Sequence, residues 1–372
     1  MLKRLMSGQS LFMKIGINGT FLNNSPTGVG IFTKEVSKGL CNQIDTILYS
    51  PFDIGACKRV QTDLSISGST NIMNNFKRLL YINTKLPSLI KRDKITLLYC
   101  PIVEMPSIMT RIPLVVTVHD LHPIYFKRQF GLSSLYFQFM INLLPKRASM
   151  VTVPSRFVRE ELLKYSKVKS EKIEVIYNGY DDSHFKPMDK SMRKGFLSDH
   201  NIEKPYILFV GSLFEYKNLA VLIQAFMSIK DKIEHNLLVI GKRDVAINKP
   251  IEDERIKYLD YVSYDSLSYF YSYADVFVHP AFFEGFGLAV LEAMACGTAV
   301  ISSNGGSLSE IIGDGGLLFD PKDSDMLATL LLMVIYKRDF RKEIIEKGLK
   351  RAREFSWQRT VNQLIEVFKR AG

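Results

Sequence analysis

Several features that mark large classes of protein are scarce or missing in this sequence. Its 372 residues include four cysteines, and these form no C-x-x-C pair. Their spacing therefore indicates neither a disulfide framework nor a zinc site. We expect Cys41, Cys57, Cys100 and Cys296 to be buried, reduced thiols of a cytosolic protein.

Long apolar runs are also missing. No stretch reaches the roughly 18 residues that a membrane-spanning helix needs. The beginning of the chain, Met1–Leu5, is basic but lacks a long apolar core and a cleavage site of small residues, so it does not resemble a secretory signal. Met13–Ile17 looks like a second start, and we expect residues 1–12 to be an extension outside the fold.

Acidic residues are under-represented in the first half of the chain. The net charge is +11, and residues 1–185 carry all of it, with 24 Lys and Arg against 13 Asp and Glu. Basic surfaces attract nucleic acid, anionic membranes or phosphorylated substrates. Because there is no zinc finger, RRM signature or arginine-rich tail, we predict no nucleic-acid partner. Contact with an anionic membrane and an ordinary solvated surface stay open as equal alternatives.

Short apolar segments alternate with longer amphipathic ones along the whole chain. This alternation is typical of βαβ units with parallel strands that are buried on both faces. The pattern occurs twice, with a break between Asn178 and Lys204. The predicted strands are Lys14–Asn18, Ile44–Tyr49, Thr96–Cys100, Leu114–His119, Met150–Pro154, Ile173–Tyr177, Tyr206–Gly211, Asn236–Ile240, Val276–His279 and Thr298–Ser302.

Two glutamates after the ninth predicted strand are the most informative feature. Glu284 lies among glycines in a predicted turn, and Glu292 lies about one turn into a predicted helix, Leu288–Ala295. Ligands of open α/β sheets bind at the carboxyl ends of strands, and helix N-termini bind anions. Carboxylates accept hydrogen bonds from hydroxyl groups. The arrangement therefore favours a polyhydroxylated, phosphorylated ligand.

The string from Glu284 to Glu292, with its central Gly285-Phe286-Gly287, resembles the E-x7-E signature of retaining GT-B glycosyltransferases of the family 4 (group 1) type. The resemblance extends from about Met13 to the end of the chain. It implies an α/β fold of two doubly wound Rossmann-like domains that face a cleft, with the last helix crossing back to the first domain. We expect an acceptor domain at 13–185, a nucleotide-sugar domain at 186–355 and a returning helix at 356–372.

The same resemblance implies roles for individual residues. Glu292 would accept hydrogen bonds from ribose hydroxyls, and Lys217 would neutralise the diphosphate from the start of a helix at Leu219–Phe226. Many relatives carry an Arg where this sequence has Ser212 and Tyr216, so we expect Lys242 or Arg243 to supply a second cationic contact. The implied catalytic residues are Glu284, His119 and Lys217, and the implied donor-binding residues are Gly28, Gly30, Ser212, Lys217, Lys242, Glu284, Gly285, Phe286, Gly287, Leu288 and Glu292.

Two sites in the first half complete the prediction. Gly28-Val29-Gly30 follows the first strand, and its glycines would let backbone N–H groups approach a ligand. The string is not a complete G-x-G-x-x-G, which disfavours a Rossmann oxidoreductase. His119 lies at the end of a buried strand, and the resemblance implies that it faces the transferred sugar.

No cofactor or metal is expected. Asp323-Ser324-Asp325 is a D-x-D string, but capping of the helix that follows explains it.

We therefore expect a hexosyltransferase of cell-surface polysaccharide (lipopolysaccharide O-antigen) synthesis, cytoplasmic or peripheral at the inner face of the plasma membrane. Its donor would be a nucleotide-diphosphate sugar, with GDP-mannose as the first candidate. Its acceptor would be a glycan or a polyprenyl-diphosphate-linked sugar. The alternatives are a non-catalytic scaffold that binds nucleotide sugars and a GT-B epimerase. A phosphorylase is disfavoured because it needs a lysine-bound pyridoxal phosphate and is usually longer.

Overall fold

The structure is a computed structural model that describes residues 13–23, 28–55, 57–62, 72–107, 111–241 and 251–372, with the backbone alone for 72–75. The chain divides into two compact units. Unit 1 combines the described residues up to Pro154 with Arg159–Ile176 and Trp357–Gly372. Unit 2 combines Ser155–Val158 with Tyr177–Ser356.

Unit 1 is built on a seven-stranded sheet in the order β3-β2-β1-β4-β5-β6-β7, with every neighbouring pair parallel. The central strands are short, apolar and fully buried, as expected for a sheet covered on both faces. The strands are β1 (Ile15–Asn18), β2 (Thr46–Ser50), β3 (Lys58–Gln61), β4 (Leu97–Cys100), β5 (Leu114–Thr117), β6 (Met150–Val153) and β7 (Ile173–Val175).

Most of the connections in unit 1 are helical. The helices are α1 (Gly28–Cys41), α2 (Ile72–Arg92), α3 (His122–Tyr125), α4 (Lys127–Phe130), α5 (Leu132–Arg147) and α6 (Arg156–Tyr165), with a 3-10 turn at Ser170–Lys172. Prolines at Pro87 and Pro145 lie inside α2 and α5.

Unit 2 has a six-stranded parallel sheet in the order β10-β9-β8-β11-β12-β13. Its strands are β8 (Tyr206–Val210), β9 (Asn236–Ile240), β10 (Ile256–Leu259), β11 (Val276–His279), β12 (Ala299–Ser303) and β13 (Leu317–Phe319). Its helices are α7 (Arg193–Asp199), α8 (Leu219–Ile229), α9 (Tyr264–Tyr273), α10 (Leu288–Ala295), α11 (Leu308–Ile312), α12 (Ser324–Tyr336) and α13 (Arg338–Ala352), with 3-10 turns at Lys190–Met192, Glu215–Lys217 and Lys230–Lys232.

The last helix, α14 (Trp357–Ala371), follows unit 2 in the chain but belongs to unit 1. Its apolar stripe, which includes Val361, Leu364 and Phe368, lies in the core of unit 1. Phe368 packs against Tyr99 of β4 with 5.2 Å between ring centroids. The predicted fold class, two Rossmann-like parallel-sheet domains, is confirmed.

The prediction of four reduced thiols is wrong for two of them. Cys41, at the end of α1, and Cys57, just before β3, form a disulfide with their Cα atoms 5.4 Å apart. The fifteen residues between them carry no pairing signal, and the parallel packing of β2 and β3 brings the two ends together. Cys100 and Cys296 are free and buried, as expected.

No helix within the described ranges combines the length and the hydropathy that spanning a bilayer requires. In the same ranges, no three His, Cys, Asp or Glu side chains come together in a way that could hold a metal ion.

Candidate active site

The candidate site of unit 2 begins where β11 ends, at His279. The segment that follows carries Glu284, and α10 begins at Leu288. Gly287 caps this helix with φ +96°, a conformation that a residue with a side chain rarely adopts. A Cβ atom at this position would also lie 2.8 Å from the Leu308 side chain. A strand, a glycine turn and a helix N-terminus therefore follow one another, as the sequence predicts.

Lys217 and Glu284 form an ion pair in which the lysine Nζ donates a hydrogen bond to Oε1 of the glutamate. Their side chains are only 15% and 11% exposed. The ammonium group also lies over the ring of Tyr216, 5.4 Å from its centroid. Partial removal from water makes such a pair stronger than one on the surface.

The predicted location of Lys217 at the start of a helix is wrong in detail. The residue closes the 3-10 turn Glu215–Lys217, and Asn218, in the left-handed conformation with φ +55°, separates this turn from α8. The amide of Asn218 donates to the carbonyl oxygens of Pro280 at 3.1 Å and Pro321 at 2.7 Å. The asparagine thus ties the lysine turn to the segment that carries Glu284.

His279 is a component of the site that the sequence reading missed. Its Nε2 atom lies 3.0 Å from Oε1 of Glu284, the oxygen that also accepts from Lys217. The residue is 1% exposed, and burial lowers its pKa, although the Glu284 carboxylate opposes that shift. The signal available in the sequence was a histidine at the end of a strand five residues before the first glutamate.

The backbone around Glu284 is held separately from its side chain. The carbonyl oxygen of Glu284 accepts from the backbone N–H of Ser307 at 3.0 Å and from its hydroxyl at 3.1 Å. A Cβ atom on Gly306 would lie 2.4 Å from that carbonyl oxygen, so only glycine fits there. The next carbonyl, that of Gly285, accepts from the Ser155 hydroxyl at 2.8 Å.

Glu292 lies in the second turn of α10 and is hydrogen-bonded to a residue of the neighbouring helix α9. Tyr271 of α9 donates its phenol hydrogen to Oε2 of Glu292 at 3.1 Å. The carboxyl group is buried, and burial raises its pKa to about 7 even though the tyrosine hydrogen bond opposes the shift. The two glutamates therefore differ: one is paired with a cation, and the other titrates near neutrality.

The remaining predicted residues of unit 2 have separate environments. Phe286 is buried and packs edge-on against Phe355 with 5.9 Å between ring centroids. Leu288 opens α10, whose first N–H groups have no acceptor within the helix. Ser212 lies two residues beyond the end of β8. Lys242 and Arg243 lie outside the described residues.

The predicted residues of unit 1 form a separate group. Nε2 of His119 lies 2.8 Å from the carbonyl oxygen of Pro101, so this nitrogen carries the ring hydrogen. Burial lowers the pKa of His119, which favours the neutral ring. The ring meets Phe32 edge-on, with 4.6 Å between centroids. Gly28 and Gly30 lie in the first turn of α1, and Gly30 borders a cavity of about 140 Å³ together with Lys34 and Asp53.

The helix cap predicted for the D-x-D string is confirmed. Asp323 is the N-cap of α12 and accepts the backbone N–H of Met326 at 2.8 Å.

Together the side chains of unit 2 can hold a ligand that is anionic at one end and rich in hydroxyl groups at the other. Lys217 offers a positive charge, the first turn of α10 offers N–H donors, and Glu284 and Glu292 offer acceptors.

The fold and this arrangement define the class of GT-B glycosyltransferases. Residues 26–184 match the domain described as "Glycosyltransferase Family 4", and residues 194–351 match "Glycosyl transferases group 1". The chain belongs to this glycosyltransferase family.

Individual relatives agree with this assignment. The chain is 31% identical over 232 residues to O-antigen chain mannosyltransferase B of Escherichia coli, covering 60% of this chain and 61% of the relative. It is 32% identical over 215 residues to the O-antigen chain mannosyltransferase RfbU of Salmonella typhimurium, covering 56% and 57%. The matches thus span less than two thirds of either relative.

Among solved structures, HepE of Anabaena in complex with UDP-glucose has a TM-score of 0.76 and 18% identity, covering 96% of this chain and 99% of that one. This likeness concerns the fold.

Proposed function

We propose that this protein is a retaining glycosyltransferase that moves a hexose from a nucleotide-diphosphate sugar to a glycan or polyprenyl-diphosphate-linked acceptor in cell-surface polysaccharide synthesis. The observation that carries the proposal is the Lys217–Glu284 ion pair at the carboxyl edge of the second sheet, within the group 1 domain. In this assignment residues 13–185 form the acceptor domain, residues 186–355 bind the donor, and 356–372 return to the first domain.

The donor diphosphate is assigned to Lys217. A diphosphate leaving group develops negative charge as the bond to the sugar breaks, and a fixed ammonium group stabilises that charge without a metal. The low exposure of the pair supports this role, because a partly dehydrated charge acts more strongly than one in water. The N–H groups of Phe286, Gly287 and Leu288 and the carboxylate of Glu284 take the sugar.

Glu292 is assigned to the ribose hydroxyls. A carboxylate accepts hydrogen bonds from two neighbouring hydroxyl groups, and its location in the second turn of α10 keeps it near the N-terminus of that helix. His119 keeps the role that the resemblance implies, contact with the transferred sugar, as a prediction.

Transfer would proceed on one face of the sugar. The bond from the anomeric carbon to the phosphate oxygen breaks, and the acceptor oxygen attacks the same face. The departing phosphate oxygen takes the acceptor's proton. The anomeric configuration is then retained.

GDP-mannose is the proposed donor because two relatives are O-antigen mannosyltransferases. UDP-glucose is the competing candidate, since it occupies HepE. A thermal-shift panel of nucleotide sugars separates them, because a ligand that binds the native state raises its melting temperature. We expect GDP-mannose to give the largest shift. A larger shift with a UDP-sugar would assign the other donor, and no shift with any of them would contradict the proposal.

A product assay then separates the two alternatives from a transferase. With donor and a lipid-linked acceptor, the transferase releases nucleoside diphosphate and adds one hexose to the acceptor, as measured by mass spectrometry. A non-catalytic scaffold binds the donor and releases nothing. An epimerase changes the sugar of the donor and leaves the acceptor unchanged.

Peripheral contact with an anionic membrane, at the inner face of the plasma membrane, is the second part of the proposal. Helices α2, α4 and α5 contain nine Lys and Arg residues and no Asp or Glu. Leu132, Leu135 and Phe139 line one side of α5 and are between 55% and 68% exposed. Phe76 and Leu80, four residues apart on α2, are also exposed. Exposed apolar groups beside an excess of cations suit an anionic lipid surface.

Buried charges bring α2 and α5 of unit 1 near each other. Arg78 of α2 pairs with Glu104, and both charges act on the phenol of Tyr136 in α5, whose pKa burial raises. This proximity is compatible with both helices taking part in membrane contact.

Vesicle sedimentation tests this surface. The protein should bind vesicles that contain phosphatidylglycerol, bind pure phosphatidylcholine weakly, and be released by salt. Leu135→Glu with Phe139→Glu should abolish binding, whereas the control Met326→Glu, at an exposed apolar position of unit 2, should not. Equal binding by both variants would contradict this part of the proposal.

A further inference from the structure

His279 is buried at the end of a central strand, and the neighbouring strand β12 fixes its backbone. In the register of the sheet it pairs with Ser302 of β12, whose hydroxyl donates to the His279 carbonyl oxygen at 3.0 Å. The ring is 1% exposed, so the surrounding protein determines its orientation. A side chain held this firmly can orient its neighbour.

The neighbour is the Glu284 carboxylate. Because a carboxylate oxygen only accepts, the 3.0 Å contact requires the hydrogen to be on Nε2 of His279. Burial lowers the pKa of the ring, so the ring donates this hydrogen bond as a neutral group. The Nδ1 atom is buried and has no hydrogen-bond partner among the described residues, as fits a ring nitrogen without a hydrogen.

Oε1 of Glu284 accepts hydrogen bonds from both His279 and Lys217. Lys217 also donates to this oxygen, and under the proposed function its ammonium group must turn toward the donor diphosphate. The carboxylate would then lose the lysine hydrogen bond at the moment when the sugar needs a fixed acceptor. The histidine contact remains.

We propose that His279 is a positioning residue that holds the Glu284 side chain in its sugar-binding orientation when Lys217 engages the donor diphosphate. The inference rests on the proposed function. It concerns the side chain alone, because Ser307 holds the Glu284 backbone independently. Loss of His279 should therefore reduce catalysis without releasing the turn.

Two amide substitutions give a matched test. Gln places its side-chain N–H at nearly the distance of Nε2, whereas Asn is polar but too short to reach Glu284. Misplacing a catalytic contact by about 1 Å can cost about 100-fold in rate. We expect His279→Asn to lower kcat by at least about tenfold with a smaller change in donor KM, and His279→Gln to stay within about threefold of the wild type. Similar melting temperatures for both variants establish that they fold.

A spectroscopic measurement separates this inference from the proposed function. In ¹⁵N-histidine NMR of the ligand-free protein, the His279 signal is identified among the six histidines by its loss in His279→Gln. We expect the neutral ring with hydrogen on Nε2, and a shifted Nε2 signal in Glu284→Ala. A ring with hydrogen on Nδ1, or no response to Glu284→Ala, would overturn the inference whatever the enzyme does.

Kinetic measurements then distinguish a failure of the His279 inference from a failure of the proposed function. If the wild type transfers sugar and both amide variants match it, or both lose activity equally while folded, His279 does not position Glu284. If the wild type transfers no sugar from any donor, the proposed function fails, and the NMR result alone decides the histidine contact.

Discussion

Lys217 and Glu284 lie 67 residues apart in the chain, yet the lysine donates a hydrogen bond to the glutamate. The contact exists because β8 and β11 are neighbours in the sheet, so the segments after both strands emerge at one edge. A cation and an anion are thereby placed at the position where open α/β sheets bind ligands.

Removal of either charge should impair transfer. Lys217→Met and Glu284→Gln should each lower kcat/KM by about tenfold to a hundredfold, because each removes one charged contact from the transition state. Steady-state kinetics with donor and acceptor measures the loss. The control is Lys347→Met, which breaks the exposed pair with Glu343 on α13 and should leave the rate unchanged. Wild-type rates in both site variants would remove the pair from the mechanism.

The affinity for the donor should depend on pH through Glu292. Its pKa of about 7 means that the carboxylate form, the better acceptor for hydroxyl groups, gains population as the pH rises through neutrality. We expect the donor KM of the wild type to fall between about pH 6 and pH 8. In Glu292→Gln the KM should be higher and nearly independent of pH. A variant that keeps the wild-type pH profile would show that another group titrates.

A rise in pH, which should improve donor binding through Glu292, should at the same time lower the stability of the folded protein. Its pKa rises from the ordinary glutamate value of 4.5 to about 7 in the folded protein, so the folded state holds the proton more tightly. Its stabilising contribution is complete below pH 4.5 and is lost as the pH rises through 7. The melting temperature of Glu292→Gln relative to the wild type should therefore increase between about pH 5 and pH 8. A constant difference for Glu292→Gln would contradict the raised pKa.

The Cys41–Cys57 disulfide leaves two of the four cysteines as free thiols, and these can be counted. Denatured without reductant, the protein should expose two titratable thiols, Cys100 and Cys296, and with reductant it should expose four. Closing a loop of this size is worth about 3 kcal/mol, so reduction should lower the free energy of unfolding by about that amount. Four thiols without reductant, in protein purified under oxidising conditions, would show that Cys41 and Cys57 are not bonded.

The packing of α14 against α1 offers a stability test. A Cβ atom on Gly39 would lie 2.5 Å from Cγ2 of Val361. Gly39→Ala should cost about 1–3 kcal/mol by overpacking, and Val361→Ala should relieve part of that cost in the double variant. The control is Gly195→Ala in α7, where nothing lies within 4 Å of an added Cβ, and it should be neutral or stabilising. Denaturant unfolding compares the wild type with these four variants, and strictly additive effects of Gly39→Ala and Val361→Ala would contradict the contact.

The sequence predicted the interior of the fold better than its edges. All ten predicted strands exist, and Asn236–Ile240 and Val276–His279 have the predicted bounds. The three strands that the sequence did not predict, β3, β10 and β13, all lie at sheet edges. β3 and β10 are partly exposed and carry polar residues, as in Lys58–Gln61, and β13 has only three residues, so none of them shows the longer continuous apolar run that marks a buried parallel strand.

In the candidate site, too, the sequence predicted some features and missed others. The locations of Glu284 and Glu292 follow from a local pattern, a strand followed by glycines and a helix start. The contacts of these glutamates do not, since Lys217, His279 and Tyr271 reach them from other segments through sheet order and burial. The Cys41–Cys57 bond was hidden for the same reason.

A crystal structure with the nucleotide sugar selected by the thermal-shift panel would show where the donor binds. We expect diphosphate density within hydrogen-bonding distance of Lys217 Nζ, the sugar beside Glu284, and the ribose at Glu292. Well-defined density for the compound elsewhere in the protein, with these three side chains unchanged, would contradict this expectation.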